Sequence, residues 1–408
     1  MTNRHEPDPF APNHELRPED LKFKAEGARR HRDYIVPDNA VEADLLLAPS
    51  RRRRHRTSKK QRTALKVIAI ILACLFGIVA IAGATVLFLQ SRGRHTMLPE
   101  TPVTITVPES VETNPEVELE VTDDGRTVTY NGETYRFNEN RTNILCIGVD
   151  QESLGLDNGI VGTGGQADTL VVLSVDTANG NMNALAISRD TIADIDLFAD
   201  DGTFVGTEKT QICLSYAYGD GREKSCETTA RAVSRLLYGI PINTYLAVDL
   251  NTIPTINDAV GGVTVTLLSD FSCYFGPGYE KGNTVTLHGK ESLWYIRERD
   301  TEQLASNNDR MARQKQYLAA FAETVISAAK SDLQLPLTLF ETISDEAITS
   351  LTPSKITFLT TSLVRHAQPL QFASVAGEIV KGDDGYAEFH VDEQALYEQV
   401  LNIFYTKD

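Results

Sequence analysis

The sequence predicts an α/β protein: one extracytoplasmic α/β/α domain on a central mixed β-sheet, preceded by a single transmembrane helix and a disordered cytoplasmic tail. Three observations carry this. Val67–Leu89 contains no charged side chain. Downstream, several short runs rich in Val, Ile and Leu have the length of buried strands. Those runs alternate with segments of helical spacing, the pattern of an α/β unit.

The apolar run is 23 residues long, enough at 1.5 Å per residue to span a hydrocarbon layer of roughly 30 Å. A secretory h-region, about 7–15 residues near the N-terminus, fits badly. Arg51–Arg54, Arg56, Lys59, Lys60, Arg62 and Lys66 crowd one flank. Positive residues stay on the cytoplasmic side, so the N-terminus is expected inside and everything after Gln90 outside. Residues 1–62 mix both charge signs with proline and lack an apolar period, as a disordered tail does. The expected organisation is thus a tail over 1–62, a transmembrane helix over 63–90, a Pro- and Thr-rich stalk over 91–125 and one domain over 126–408.

Charge divides the chain at the membrane. Residues 1–66 hold 16 Lys/Arg against 10 Asp/Glu, leaving 23 against 46 for residues 67–408. So acidic an ectodomain argues against nucleic acid as a partner, because a duplex demands a basic face.

The domain begins with Thr127–Tyr130 and Glu133–Phe137 around Asn131-Gly132, a strong hairpin signal. Asn143–Gly148, Thr169–Val175 and Met182–Ser188 then read as buried strands. The turn sequence Asp176–Asn181 joins the last two as a hairpin, and folding back about it sets Asp168 within a couple of residues of Arg189 and Asp190. Glu227–Leu237 and Leu250–Ala259 have helical spacing, and Val260-Gly-Gly-Val-Thr-Val-Thr-Leu turns into another strand. A long helix begins at Asn308, with Met311, Leu318, Phe321, Val325 and Ala329 on one stripe. Residues 353–405 continue as helix, strand, an Asp383-Asp384-Gly385 turn, strand and helix.

On this acidic background Arg189, Arg297, Arg299, Arg310 and Arg313 stand out beside strand and helix ends. The planar guanidinium fork matches phosphate oxygens, and several converging forks imply a ligand of multiple negative charge. Arg297 and Arg299 would point the same way from an extended segment. Arg310 and Arg313 would share a helix face, with Gln314 beside them. Surface pairing with the many carboxylates is an equal alternative. Asp150 and Asp168 are candidates for a hard cation such as magnesium, or are turn residues. No zinc pattern, Gly-x-Ser-x-Gly elbow or phosphate-binding Gly-Lys-Thr loop occurs. Cys213 and Cys226 bracket a short stretch, and a bridge between them would be worth about 3 kcal/mol; free buried thiols are the alternative.

Seven motifs in order carry a resemblance: Asn143-Ile-Leu-Cys-Ile-Gly-Val-Asp150, Ala167-Asp168-Thr169, Ile187-Ser-Arg189-Asp190-Thr191, Lys209 with Ser215-Tyr-Ala-Tyr218, Asp258-Ala-Val-Gly-Gly262, Tyr295-Ile-Arg297-Glu-Arg299 and Asp309-Arg310-Met-Ala-Arg313-Gln314. Over roughly residues 139–330 the chain resembles the LytR-CpsA-Psr family of bacterial wall-polymer ligases. The resemblance implies a Gram-positive membrane phosphotransferase. It would move a glycopolymer (teichoic acid, capsule or another wall polysaccharide) from a polyprenyl-pyrophosphate carrier in the membrane lipid to peptidoglycan, assisted by Mg2+ or Mn2+. By motif, Arg189, Arg297, Arg299 and Arg310 would hold the pyrophosphate, with Lys209, Arg313 and Gln314 near it. Asp150 and Asp168 would serve the metal, and Asp190 is a candidate base. Gln166 stands where many members have Arg, and Ser188 where Pro is common. A pyrophosphate hydrolase and a binding module without turnover are the rival readings.

Overall fold

The computed structural model describes residues 59–98, 126–151, 154, 165–199, 201–298, 306–382 and 385–408. Residues 1–67 and 68–408 form two separate compact units, and of the first only the opening turns of one helix are described. The expected tail therefore lies almost wholly outside the described residues.

That helix is α1 (Lys59–Met97). It is followed by α2 (Leu214–Ala217), α3 (Glu223–Leu236), α4 (Thr252–Ala259), α5 (Ser272–Phe275), α6 (Lys290–Arg297), α7 (Ser306–Ser331), α8 (Leu335–Ile343), α9 (Pro353–His366) and α10 (Glu393–Phe404). The strands are β1 (Thr127–Tyr130), β2 (Glu133–Phe137), β3 (Arg141–Val149), β4 (Ala167–Asp176), β5 (Met182–Ile187), β6 (Ile192–Phe198), β7 (Phe204–Gln211), β8 (Thr244–Val248), β9 (Val263–Thr266) and β10 (Thr284–Leu287). They continue with β11 (Ile348–Thr349), β12 (Gln371–Ser374), β13 (Gly377–Lys381), β14 (Ala387–Val391) and β15 (Tyr405–Lys407).

Within α1, Phe76–Met97 is long and apolar enough to cross a membrane, and Phe76, Ile81, Leu87 and Phe88 expose large apolar side chains. The helix runs on through residues 91–97, where a stalk was expected, and its end is buried in the folded unit. Met97 is fully covered, packed with Ile144 and Phe358, and its carbonyl accepts a 3.0 Å hydrogen bond from Thr142 Oγ1. Gly93 permits the approach, since a Cβ there would lie 2.1 Å from the Ser354 carbonyl oxygen. Residues 99–125, the rest of the expected stalk, lie outside the described residues.

The central sheet has six strands in the order β11-β8-β3-β4-β5-β12. It is mixed: β3 pairs antiparallel with β4 and parallel with β8, while β5 pairs antiparallel with β4 and parallel with β12. Alternation along the strands sorts side chains between two faces. Leu145, Ile147, Leu170, Val172 and Leu185 share one core with residues of α3 and α10, including Val233 and Val400. Ile144 faces the other way and packs with Phe358 of α9 and the end of α1. A sheet covered on both faces needs the near-continuous apolar strands that β3 supplies.

Two further parts matter for the site. β9 and β10 form a hairpin whose Val263, Val265 and Leu287 build a separate small core with Phe271, Tyr295 and Tyr317. The β6–β7 hairpin, not anticipated from sequence, escapes an apolar-run reading because β7 is mostly exposed. Its anchor is Asp196, which pairs with Arg231 and Arg235 of α3 at 2.9 and 2.6 Å.

Cys213 and Cys226 are both free and buried, so the expected bridge is not formed. Cys226 belongs to the main apolar core, whereas the Cys213 sulfur lies 3.9 Å from the Arg189 guanidinium. Each thiol is committed to a different environment.

Candidate active site

The site forms where β3 ends, β4 begins and β5 ends. Leu170 of β4 pairs with Ile187 of β5, so continuing that register two residues brings Asp168 opposite Arg189. The Arg189 guanidinium donates to Asp168 Oδ1 and to Gln166 Oε1, and its Nε lies 3.7 Å from Asp190 Oδ1. The backbone locks the same residue, because the Cys213 amide donates to the Arg189 carbonyl at 3.1 Å.

A second pair comes from far along the chain. Asp150 directly follows β3, and Arg297, the last residue of α6, places Nη2 at 3.4 Å from Asp150 Oδ1. Arg297 is thus helical rather than part of an extended segment, so the argument that it points the same way as Arg299 does not hold. Arg310, on the first turns of α7, is close enough for its charge to act on Asp168 and Asp190. Three guanidiniums and three carboxylates share one end of the sheet.

Electrostatics follow from partial burial. Burial pushes the Asp168 carboxyl above its usual range and the like charge of Asp150 adds to this, against the opposing pull of Arg189. Burial likewise raises Asp190 over the opposing effect of Arg189 and Arg310. For Arg189 burial acts downward, but the carboxylates of Asp168 and Asp190 outweigh it and hold the guanidinium charged. Burial also pushes the Cys213 thiol up, which keeps it neutral.

The remaining candidates fall elsewhere. Arg299 lies outside the described residues. Arg313 is buried, with Nε donating to the Tyr295 carbonyl at 2.7 Å, Nη1 to Ser269 Oγ at 3.1 Å and Nη2 to the Glu298 carbonyl. Those carbonyls end α6, so Arg313 braces the segment carrying Arg297, and the expectation that it contacts pyrophosphate is corrected. Gln314 also donates to α6, at the Ile296 carbonyl, 3.2 Å away. Lys209 is exposed on β7 opposite Asp194, four residues before Cys213 and so roughly 13 Å along the chain at strand spacing. Gln166 and Cys213 belong to the Arg189 cluster although neither was assigned a part there; the departure at Gln166 from the usual Arg was the available signal.

Among the described residues no group of three or more His, Cys, Asp or Glu side chains is arranged to hold a metal ion. Asp150 and Asp168, however, lie close enough to repel each other. Each is also paired with an arginine, and two carboxylates of this kind suit magnesium, which takes one or two carboxylates together with phosphate oxygens and water.

A cluster of arginines and aspartates at the end of a mixed sheet, on an α/β domain that follows one candidate membrane-spanning helix, has the chemistry of an anion-binding site. The LytR_cpsA_psr family pattern matches residues 108–403, and the chain belongs to that family. It is 28% identical over 253 residues to the polyisoprenyl-teichoic acid–peptidoglycan teichoic acid transferase TagU of Bacillus mycoides, a match covering 62% of this chain and 74% of that protein. It is 30% identical over 191 residues to the corresponding transferase TagV of Bacillus subtilis, covering 46% of this chain and 44% of the relative. With several such relatives the match thus spans only about half of their length. The crystal structure of protein gbs0355 from Streptococcus agalactiae superposes with a TM-score of 0.50 at 16% identity, over 66% of this chain and 89% of that one, which shows the shared fold.

Proposed function

We propose that the chain is a membrane-anchored phosphotransferase that moves a glycopolymer from a polyprenyl-pyrophosphate carrier to peptidoglycan. The observation that carries this reading is the convergence of Arg189, Arg297 and Arg310 on Asp150, Asp168 and Asp190. Forks already opposed by carboxylates are held in place for a diphosphate, so little rearrangement is needed when it arrives.

In the reaction, an acceptor sugar hydroxyl attacks the phosphorus that bears the glycopolymer. The bond from that phosphorus to the bridging oxygen breaks, polyprenyl phosphate leaves, and a phosphodiester forms. Catalysis is chiefly positioning and charge neutralisation, because the leaving group is itself a phosphate. Arg189 and Arg297 grip the diphosphate oxygens, and Asp190, made more basic by burial, takes the hydroxyl proton. Mg2+ or Mn2+ on Asp150 and Asp168 would supply further charge neutralisation at the phosphate oxygens.

A place for the lipid tail is suggested on the sheet face opposite α3. On these central strands Thr169 is exposed and Gly148 and Ala186 are only half-covered near Asp168, beyond the part of this face where Cys146 and Leu173 pack against Phe358 and Met97. A polyprenyl chain laid there would bury that surface at about 25 cal/mol per Å². The basic flank before α1 and the family's transfer to wall polymer agree with a cytosolic N-terminus and an external domain.

The test incubates the full chain in detergent with a polyprenyl-pyrophosphate glycan, Mg2+ and nascent peptidoglycan strands. Covalently linked glycan is expected. Release of unattached glycan would show a hydrolase instead, and saturable donor binding without any product would show a binding module.

A further inference from the structure

Trp294 and Tyr274 form an exposed aromatic surface beside this site that nothing in the phosphate chemistry uses. Trp294 is 38% exposed and Tyr274 47%, with ring centroids 4.9 Å apart at 47°. Behind them Phe275 and the buried Phe271 stiffen the pair. The Tyr274 hydroxyl donates to Glu298 Oε1 at 2.9 Å, which fixes ring and carboxylate together at the rim. Trp294 also precedes Arg297 by three residues on α6, so the two share a helix face with roughly 5–6 Å between Cβ atoms.

We propose that Trp294 and Tyr274 are a sugar-binding platform that seats a hexose ring of the glycan next to the phosphorus under attack, with Glu298 accepting from its hydroxyls. The proposal rests on the transferase reading, because Arg297 is taken there to hold the diphosphate. A sugar is the occupant that matches both halves of the surface. Its axial C–H face is apolar and suits an aromatic ring, while its equatorial hydroxyls need acceptors at the ring's edge. An aromatic pair alone would suit a bilayer interface equally well, but a carboxylate bonded to its rim disfavours anionic headgroups. The reaction itself requires a sugar hydroxyl within reach of the atoms that Arg297 grips, and a platform one helical turn away sets that distance. Either acceptor or donor can supply the ring.

Trp294 is the sole tryptophan of the chain, so emission excited selectively at tryptophan reports on this surface. The full chain in detergent is titrated with a phosphate-free peptidoglycan tetrasaccharide and, separately, with dephosphorylated donor glycan. A saturable change in emission with either is expected, the responding sugar identifying its source. Tyr274→Ala should weaken that titration about tenfold, whereas Arg297→Ala should leave it intact and abolish transfer. In the transfer assay Trp294→Ala should raise KM for the responding glycan about tenfold with kcat little changed, and Trp294→Phe should restore it. Transfer by the unaltered chain with emission silent to both saccharides overturns the platform and leaves the transferase reading standing. A sugar response without any transfer does the reverse. Emission that moves only with anionic phospholipid vesicles overturns the platform in favour of a bilayer contact.

Discussion

Arg189 is held through both its backbone and its side chain. Its carbonyl is bonded to the Cys213 amide, and its guanidinium lies among Asp168, Gln166 and Asp190. A lysine there keeps the charge but loses the planar fork. Arg189→Lys is therefore expected to reduce kcat/KM by about a hundredfold, as removal of one preorganised donor does, measured in steady-state transfer. Asp190 predicts a pH dependence. Its carboxyl is raised by burial, and a base acts only when deprotonated, so activity should fall as pH drops through a range above the ordinary carboxylate value near 4. Asp190→Asn should remove that acidic limb from the kcat/KM profile; a limb that persists unchanged assigns the base elsewhere. The same raised value carries a stability cost, since folding favours the protonated acid and that contribution is lost as pH rises through the folded value.

Elements are joined at points where a single residue decides the fit. The end of α1 meets the sheet through Gly93 and Met97, and any side chain at 93 collides with the backbone of Ser354. Gly93→Leu should cost roughly 1–3 kcal/mol, the range for overpacking. Denaturant unfolding and faster hydrogen exchange at Thr142 and Met97 would check it. The β6–β7 hairpin is held to α3 by Asp196 between two arginines. Burial pushes this carboxyl up, but hydrogen bonds from Arg235 and Arg231 outweigh it and leave it below its usual value. Its stabilisation is thus present above the ordinary carboxylate range and lost as pH falls through the depressed folded value. Asp196→Asn should lower stability by roughly 1–2 kcal/mol at pH 7, a deficit that shrinks in urea titrations as pH falls below the ordinary carboxylate range.

Across the whole molecule, the proposed transfer requires the apolar helix and the domain to place one site against a lipid-borne donor. A continuous α1 ending in a buried Met97 ties helix and domain more directly than the extended stalk read from Pro99, Pro102 and Pro108. Protease added outside intact cells should degrade the domain while an N-terminal tag survives. Survival of the domain with loss of the tag would invert the topology.

What could be read without coordinates was local. The apolar run, the Asn131-Gly132 turn and the β4–β5 hairpin each depend on neighbours a few residues apart. Because a hairpin's register propagates by twos, the approach of Asp168 to Arg189 was legible as well. Contacts between distant segments were not. Arg297 reaches Asp150 across 147 residues, through a packed small lobe whose placement no periodicity encodes. Arg313 carries the same motif signal as Arg310, yet its donors close on the end of α6. Composition and spacing specify which residues can grip phosphate. Which of them face the site is decided by how the small lobe and α7 settle on the sheet, since burial and hydrogen-bond competition act only once the chain is folded.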